Sequence, residues 1–200
     1  MNETRHLDIG CGTAPRNPYH RDLLYACDLE DMEKKTTENS FIFEKVDLAS
    51  EPLPFPDNYF NSISAFDVLE HIPRQAFDTN GKSISPFINL MSEIYRVLQP
   101  DGLLLASTPA FPRPEAFQDP THVNIITDTT HTYFCGEKAY AVRYGFKGNF
   151  SIKKVAWEPQ KNLYDVNIPT SRKIIRNIQH RFLKGGIIHL TWELRATKII

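Results

Sequence analysis

An α/β fold, a mostly parallel sheet with helices on both faces, is what the sequence predicts. Short apolar runs recur through the first half, with polar or helical stretches between them. The first four runs stop at a glycine or an aspartate: Gly10, Asp28, Asp47 and Asp67. One long segment before the fifth run carries apolar residues at helical spacing. Strands alternating with such segments are the pattern of an open α/β sheet with right-handed crossovers.

The runs, in order, are residues 6–9, 23–27, 41–46, 62–66 and 103–107. Several read as apolar on both faces, as a covered parallel strand requires. The clearest helix follows Ser85, a plausible N-cap, with Pro86 at the first helical position. Phe87, Leu90, Met91, Ile94 and Leu98 then share one face, and Pro100-Asp101-Gly102 turns the chain into the fifth strand. Residues 109–132 read as a long loop rich in Pro, Phe, Asp and His. A helix is expected over 133–144, ended by Gly145, then a strand over 150–157. An amphipathic helix over 171–183 carries Ile174, Ile175, Ile178 and Phe182 on one face. Residues 189–197 alternate as a final strand. No domain boundary stands out, so residues 1–200 are read as one domain with a helical insertion at about 169–184 between its last two strands.

The 200 residues suit one domain of ordinary size. With 41% hydrophobic and 24% charged residues, disordered and fibrous classes drop out. A net charge of -1 gives no global basic field, which disfavours nucleic acid as a partner. No apolar run approaches the roughly 20 residues of a membrane span. The start, Met1 to Arg5, has no signal-peptide layout. Three cysteines, Cys11, Cys27 and Cys135, without a Cys-x-x-Cys pair, argue against a disulfide framework or structural zinc. A reducing, cytoplasmic setting is the simplest reading.

The first strand runs into Leu7-Asp8-Ile9-Gly10-Cys11-Gly12. Two glycines one residue apart let the backbone turn sharply and let a ligand approach closely. Asp28, with Leu29 beside it, ends the second strand, where an acid can accept both hydrogen bonds of a ribose diol. A dinucleotide fingerprint would need a third small residue at the start of a helix. Pro15 stands there, and Pro18 follows, so the first helix must be short or absent.

These residues resemble the class I S-adenosylmethionine (SAM)-dependent methyltransferases, and in particular the small type 11-like group, over about residues 7–108. Asp8, Gly10, Cys11 and Gly12 fall in the family's first motif. Asp28 falls at its ribose acid, and Asp47 with Leu48 at the acid facing the adenine amino group. Residues 53–63 resemble the approach to the family's fourth strand. Phe66-Asp67-Val68-Leu69-Glu70-His71-Ile72 resembles the strand end and helix start that follow, and Arg96 to Gly102 the turn into the fifth strand. The resemblance implies a seven-stranded sheet in the order 3-2-1-4-5-7-6, last strand antiparallel. It implies SAM as cofactor and S-adenosylhomocysteine as product, with Phe66, Asp67 and His71 near the pocket. The family usually has helices before the first strand, and with the glycine turn only nine residues after Met1 the expectation is either a truncated sequence or an unusually open cofactor cleft. The short Pro-rich link after Gly12 resembles a subset predicted to act on surface polysaccharides or other glycans.

Methyl transfer from a sulfonium is an in-line displacement, and an oxygen acceptor must also lose a proton. His122, with Asp119 to orient it, is the candidate general base; alternatively Asp119, Thr121 and His122 are a turn network holding the loop. Phe111, Phe117 and Tyr133 are candidate acceptor walls. His71 is read as pocket-lining rather than catalytic. His131 and Cys135 lack a dense ligand motif, so no metal site is assigned, and Cys11 is not read as a nucleophile. Arg172, Lys173, Arg176, Arg181 and Lys184 give the 171–183 helix a basic side, a solvated face or a contact for phosphate, anionic lipid or RNA. The expected activity is methyl transfer from SAM to a small-molecule or glycan acceptor, on oxygen. The alternatives are a non-catalytic SAM-binding domain acting through a partner, and an RNA or protein methyltransferase. Oligomeric state is left open.

Overall fold

In the computed structural model, which describes residues 3–31, 41–136, 139–183 and 185–198, the apolar runs assemble one seven-stranded sheet. Its strands are β1 (Arg5–Ile9), β2 (Leu23–Asp28), β3 (Ile42–Lys45), β4 (Phe60–Phe66), β7 (Leu98–Pro109), β8 (Phe150–Trp157) and β9 (His189–Ala196). A small hairpin, β5 (Ala76–Phe77) with β6 (Ser83–Ile84), precedes helix α1 (Pro86–Val97). The order β3-β2-β1-β4-β7-β9-β8 is the expected 3-2-1-4-5-7-6 once the hairpin is set aside. β9 runs antiparallel to both neighbours, and the other pairs are parallel. Met1, Asn2, Glu137, Lys138 and Lys184 lie outside the described residues.

Strand register explains the two faces. Leu7, Ile63, Leu104 and Leu194 stand side by side across the sheet, as do Ile9, Ala65, Ala106 and Trp192. This face packs on Phe87, Leu90, Met91, Ile94 and Val97 of α1 and forms the main core. One residue along, the opposite face holds His6, Asp8, Ser62, Ser64, Ser107 and Thr191, all buried and all polar. Here β1 and the first part of β4 are not apolar on both sides, whereas Leu103 to Ala106 of β7 are, and Phe66 and Leu105 give this face a small apolar cluster. No helix intervenes between β1 and β2. The Pro-rich link and residues 159–168 lie over this face: Tyr19 donates to Glu193 at 3.0 Å, and Tyr164 packs edge-on against Phe66.

Helix α1 begins with Pro86 as expected, but the Ser85 side chain makes no capping bond. The Phe87 N–H is satisfied instead by the Pro73 carbonyl, at 3.0 Å. The turn at 100–102 is absorbed into β7: Asp101 takes a left-handed φ of 61°, and the pairing with β4 shifts between Phe60 and Ser62. The helix expected over 133–144 is replaced by two 3-10 turns, Thr130–Phe134 and Tyr140–Tyr144. Gly136, at φ 95°, lies between them, and a left-handed residue ends a helix. Gly145, at φ 97°, closes the second turn.

A short helix α2 (Glu115–Gln118) lies within the long loop. Helix α3 (Thr170–Leu183) forms between β8 and β9, and none of its residues is buried. Its inward bonds are polar: Asn162 donates to Asn177, and Arg176 to the Lys161 carbonyl. Ile174, Ile175, Ile178 and Phe182 are exposed. Among the described residues, no helix is long and apolar enough to cross a membrane.

Candidate cofactor cleft and acceptor side

Chain order reverses at β1, which lies between β2 and β4. In such sheets a crevice opens beyond the carboxyl ends of the strands. The glycine turn sits there. Gly10 and Gly12 take left-handed φ values of 60° and 55°. A Cβ on Gly10 would come within 2.3 Å of Val68, whereas one on Gly12 would meet nothing within 4 Å. So Gly10 is needed for packing, and Gly12 opens onto free space. The Gly12 N–H donates to Asp28 Oδ2 at 2.8 Å, tying the turn to the end of β2.

Beneath the turn, Asp8 accepts from the Arg16 N–H at 2.9 Å and from Ser64 Oγ. Burial pushes its carboxyl up to about 7, against the pull of these bonds. Cys11 is buried, and burial, then the nearby Asp8 and Asp28 charges, push its thiol up to about 12. A thiol held neutral in this way is not a nucleophile at pH 7.

The cleft beside the turn has a volume of about 440 Å³, within the usual range for small-molecule sites. Gly10, Asp28, Leu29, Asp47, Leu48, Asp67 and His71 line it. Asp8, Cys11, Gly12 and Phe66 do not; they build the turn and the floor. The walls that sequence reasoning missed are apolar: Val46, Val68, Ile72 and Pro73. Asp47 shapes its own loop, accepting from the Ala49 N–H at 3.0 Å and the Ser50 hydroxyl at 2.7 Å. Asp67 has a left-handed φ of 56° and accepts from Gln160 at 2.7 Å and His189 at 3.0 Å. Burial would raise its carboxyl, but these two bonds outweigh it and hold it below the ordinary range. Asp67 therefore fastens the start of β9 to the cleft.

On the far side, the 3-10 turn Leu69–His71 brings His71 against His122, ring centroids 4.9 Å apart and edge to face. His71 Nδ1 lies 3.0 Å from Thr121 Oγ1, and His122 Nδ1 lies 3.3 Å from the Ala116 carbonyl. The Asp119 carboxylate accepts from the Thr121 N–H and hydroxyl, at 2.8 and 2.6 Å. The carboxylate thus reaches His71 through Thr121, while the Asp119 backbone carbonyl, not its side chain, accepts from the His122 N–H. Asn124 pins the loop, its N–H on the Glu70 carbonyl and its side chain on the Leu69 carbonyl, each at 2.9 Å.

Phe111 and Phe117 pair in this loop, ring centroids 6.4 Å apart. Tyr133 stands apart from them, lining a separate cleft of about 320 Å³ with Phe87 and Tyr144. His131 packs on Trp192, and Cys135 bridges to Phe150. Sequence reasoning also passed over Glu70. Its carboxylate is buried beneath His71, one oxygen accepting from Thr108 at 2.7 Å, and burial raises it to about 7.

The strand order, the antiparallel last strand and the cleft at the β1/β4 reversal together define a class I methyltransferase architecture. A family model described as a methyltransferase domain matches residues 7–106, and the chain belongs to that family. No curated protein sequence matches it. Similar solved structures include a SAM-dependent methyltransferase from Mesorhizobium loti, with TM-score 0.57 and 15% identity over 97% of this chain and 91% of that one. Another, from Archaeoglobus fulgidus, has TM-score 0.51 and 17% identity, covering 98% and 87%. The cyclase SpnF has TM-score 0.54 and 16% identity, covering 98% and 75%. Likenesses this distant establish the fold. With the family match, the cofactor is S-adenosylmethionine. The cleft suits it: an acid with spare lone pairs at the end of β2, open space over Gly12, and apolar walls for a purine.

Proposed function

We propose that this protein transfers a methyl group from SAM to an oxygen acceptor, a small molecule or a glycan, in the cleft between the glycine turn and the His71–His122 pair. The observation that carries this reading is the pair itself, brought to the edge of the cofactor cleft by a loop 50 residues further along the chain. Asp28 holds the ribose, Asp47 and Leu48 take the adenine side, and the turn from Gly10 to Gly12 meets the amino-acid end. Bound SAM supplies an electrophilic methyl: the carbon–sulfur bond breaks as the carbon–oxygen bond forms, and the electron pair stays on sulfur in S-adenosylhomocysteine. Phe111 and Phe117 wall the acceptor. His122, kept in place by Ala116 and His71, promotes passage of the hydroxyl proton to solvent water, and Asp119 positions His71 through Thr121. A cytoplasmic setting fits three cysteines of which none is in a disulfide.

The test is a screen of hydroxyl-bearing metabolites and sugars with methyl-labelled SAM. A labelled product is expected, and His122→Ala should lower its rate about 10²-fold while SAM affinity stays within twofold. Full turnover in that variant removes His122 from the reaction. Failure of the wild type to bind SAM overturns the whole reading.

A further inference from the structure

We propose that Glu70, His71 and His122 form a binding site for a divalent transition-metal ion on the acceptor side of the cleft. Each offers one ligand atom, and the three atoms lie within 4.8 Å of one another, close enough to converge on one ion. Among the described residues this is the one His, Cys, Asp and Glu group so disposed.

Three further features point the same way. Glu70 is only 1% exposed, and one of its carboxylate oxygens has no hydrogen-bond partner. Buried polar atoms are rarely left so, and a missing ion is one standard reason. Both imidazoles are oriented through Nδ1, His71 by Thr121 and His122 by Ala116. That is how metal-bound histidines are normally steadied, with the remaining nitrogen aimed at the ion. Glu70 has its own support in the Thr108 hydroxyl, and Asp119 supports Thr121 in turn.

The donor set selects the ion. Two imidazoles and one carboxylate suit zinc, manganese, iron or cobalt, whereas magnesium and calcium prefer oxygen throughout. Three protein ligands leave coordination positions open, as in catalytic rather than structural sites. His71 also lines the cofactor cleft, so the ion sits beside the place where an acceptor must enter. There it acts as a Lewis acid, making a hydroxyl group more acidic so that its proton passes to solvent. His122 then serves the acceptor through the ion and not by taking the proton itself. This consequence rests on the methyl-transfer reading; the binding of the ion does not. The sequence gives no warning of the site, since His71 and His122 share no motif.

Chelator-treated protein titrated with Co²⁺ should develop visible d–d absorption at one equivalent, and calorimetry with Zn²⁺ should give the same stoichiometry. His71→Ala and His122→Ala should each weaken binding at least tenfold. Glu70→Gln, which keeps the shape and the Thr108 contact, should weaken it as well. Circular dichroism of each variant checks that it is folded. Absence of binding in the wild type overturns the proposal, as does binding that survives in the His71→Ala/His122→Ala double variant. SAM calorimetry on the wild type separates the two readings. Metal binding without SAM binding leaves the site standing and removes the methyl transfer; SAM binding without metal binding does the reverse.

Discussion

Asp28 has two tasks that a single hydrogen bond links. Its Oδ2 accepts the Gly12 N–H and so fixes the turn, while the rest of the carboxylate faces the cleft. An ionised carboxylate has about four acceptor positions, so this bond leaves room for a ribose diol. Asp28→Ala should therefore weaken SAM binding by about 1–3 kcal/mol, the usual cost of leaving buried polar groups unpaired. Calorimetry at one salt concentration measures it, and an unchanged affinity excludes Asp28 from the site. This half of the site is legible in the sequence because it is local: each acid sits one step past an apolar run. The other half is not. Asp119 and His122 are neighbours in sequence, yet the Asp119 carboxylate is taken up by Thr121. His71 and His122 meet only because Asn124 and Arg74 fold the loop back onto the Leu69–His71 turn. No spacing rule encodes such a path.

Elements differ in what their pattern can reveal. Helix α1 was readable because its apolar face meets a sheet that needs covering. The 133–144 segment has helical composition, but Gly136 breaks it into two turns that serve the packing of Phe134 on Phe87 and Phe146. Helix α3 was readable as a helix, yet its pattern misleads about burial, since its isoleucines face outward. A quantitative contrast follows. Ile94 of α1 is fully buried, so Ile94→Ala should cost about 2–5 kcal/mol. Ile174→Ser, Ile175→Ser and Ile178→Ser should each stay within about 0.5 kcal/mol of the parent, as surface changes do. Urea denaturation compares the two sets. A loss at α3 as large as that at Ile94 means this face is covered in solution.

At the scale of the whole molecule, the sheet has an apolar face under α1 and, under the Pro-rich link, a face that sets a buried polar row beside the small Phe66–Leu105 cluster. Where a first helix would bring apolar side chains, this chain buries a hydrogen-bonded row. His6 Nδ1 and Nε2 each lie 2.8 Å from a hydroxyl, those of Ser62 and Ser64, and Ser64 donates onward to Asp8. With the Ser64 proton committed to Asp8, His6 donates from Nε2, and in the neutral ring that burial favours its Nδ1 accepts from Ser62. Burial, helped by the nearby Arg21 charge, lowers His6 from its ordinary 6.5 to about 3, while burial raises Asp8 from 3.8 to about 7. Stability rises with pH wherever the unfolded chain holds the extra proton. For His6 that window lies between 3 and 6.5. Its contribution is complete above 6.5 and is lost as the pH falls below that value. For Asp8 the folded chain holds the extra proton between 3.8 and 7, so its contribution is complete below 3.8 and is lost as the pH rises toward 7. The two variants must therefore diverge. From pH 7 to pH 5, the stability advantage of the wild type over His6→Gln should shrink, by at most about 1.4 kcal/mol per pH unit. Over the same range, its advantage over Asp8→Asn should grow. Urea midpoints taken at half-unit steps of pH read both differences. Parallel pH profiles for the wild type and the two variants mean that the buried row does not govern how this fold responds to acid.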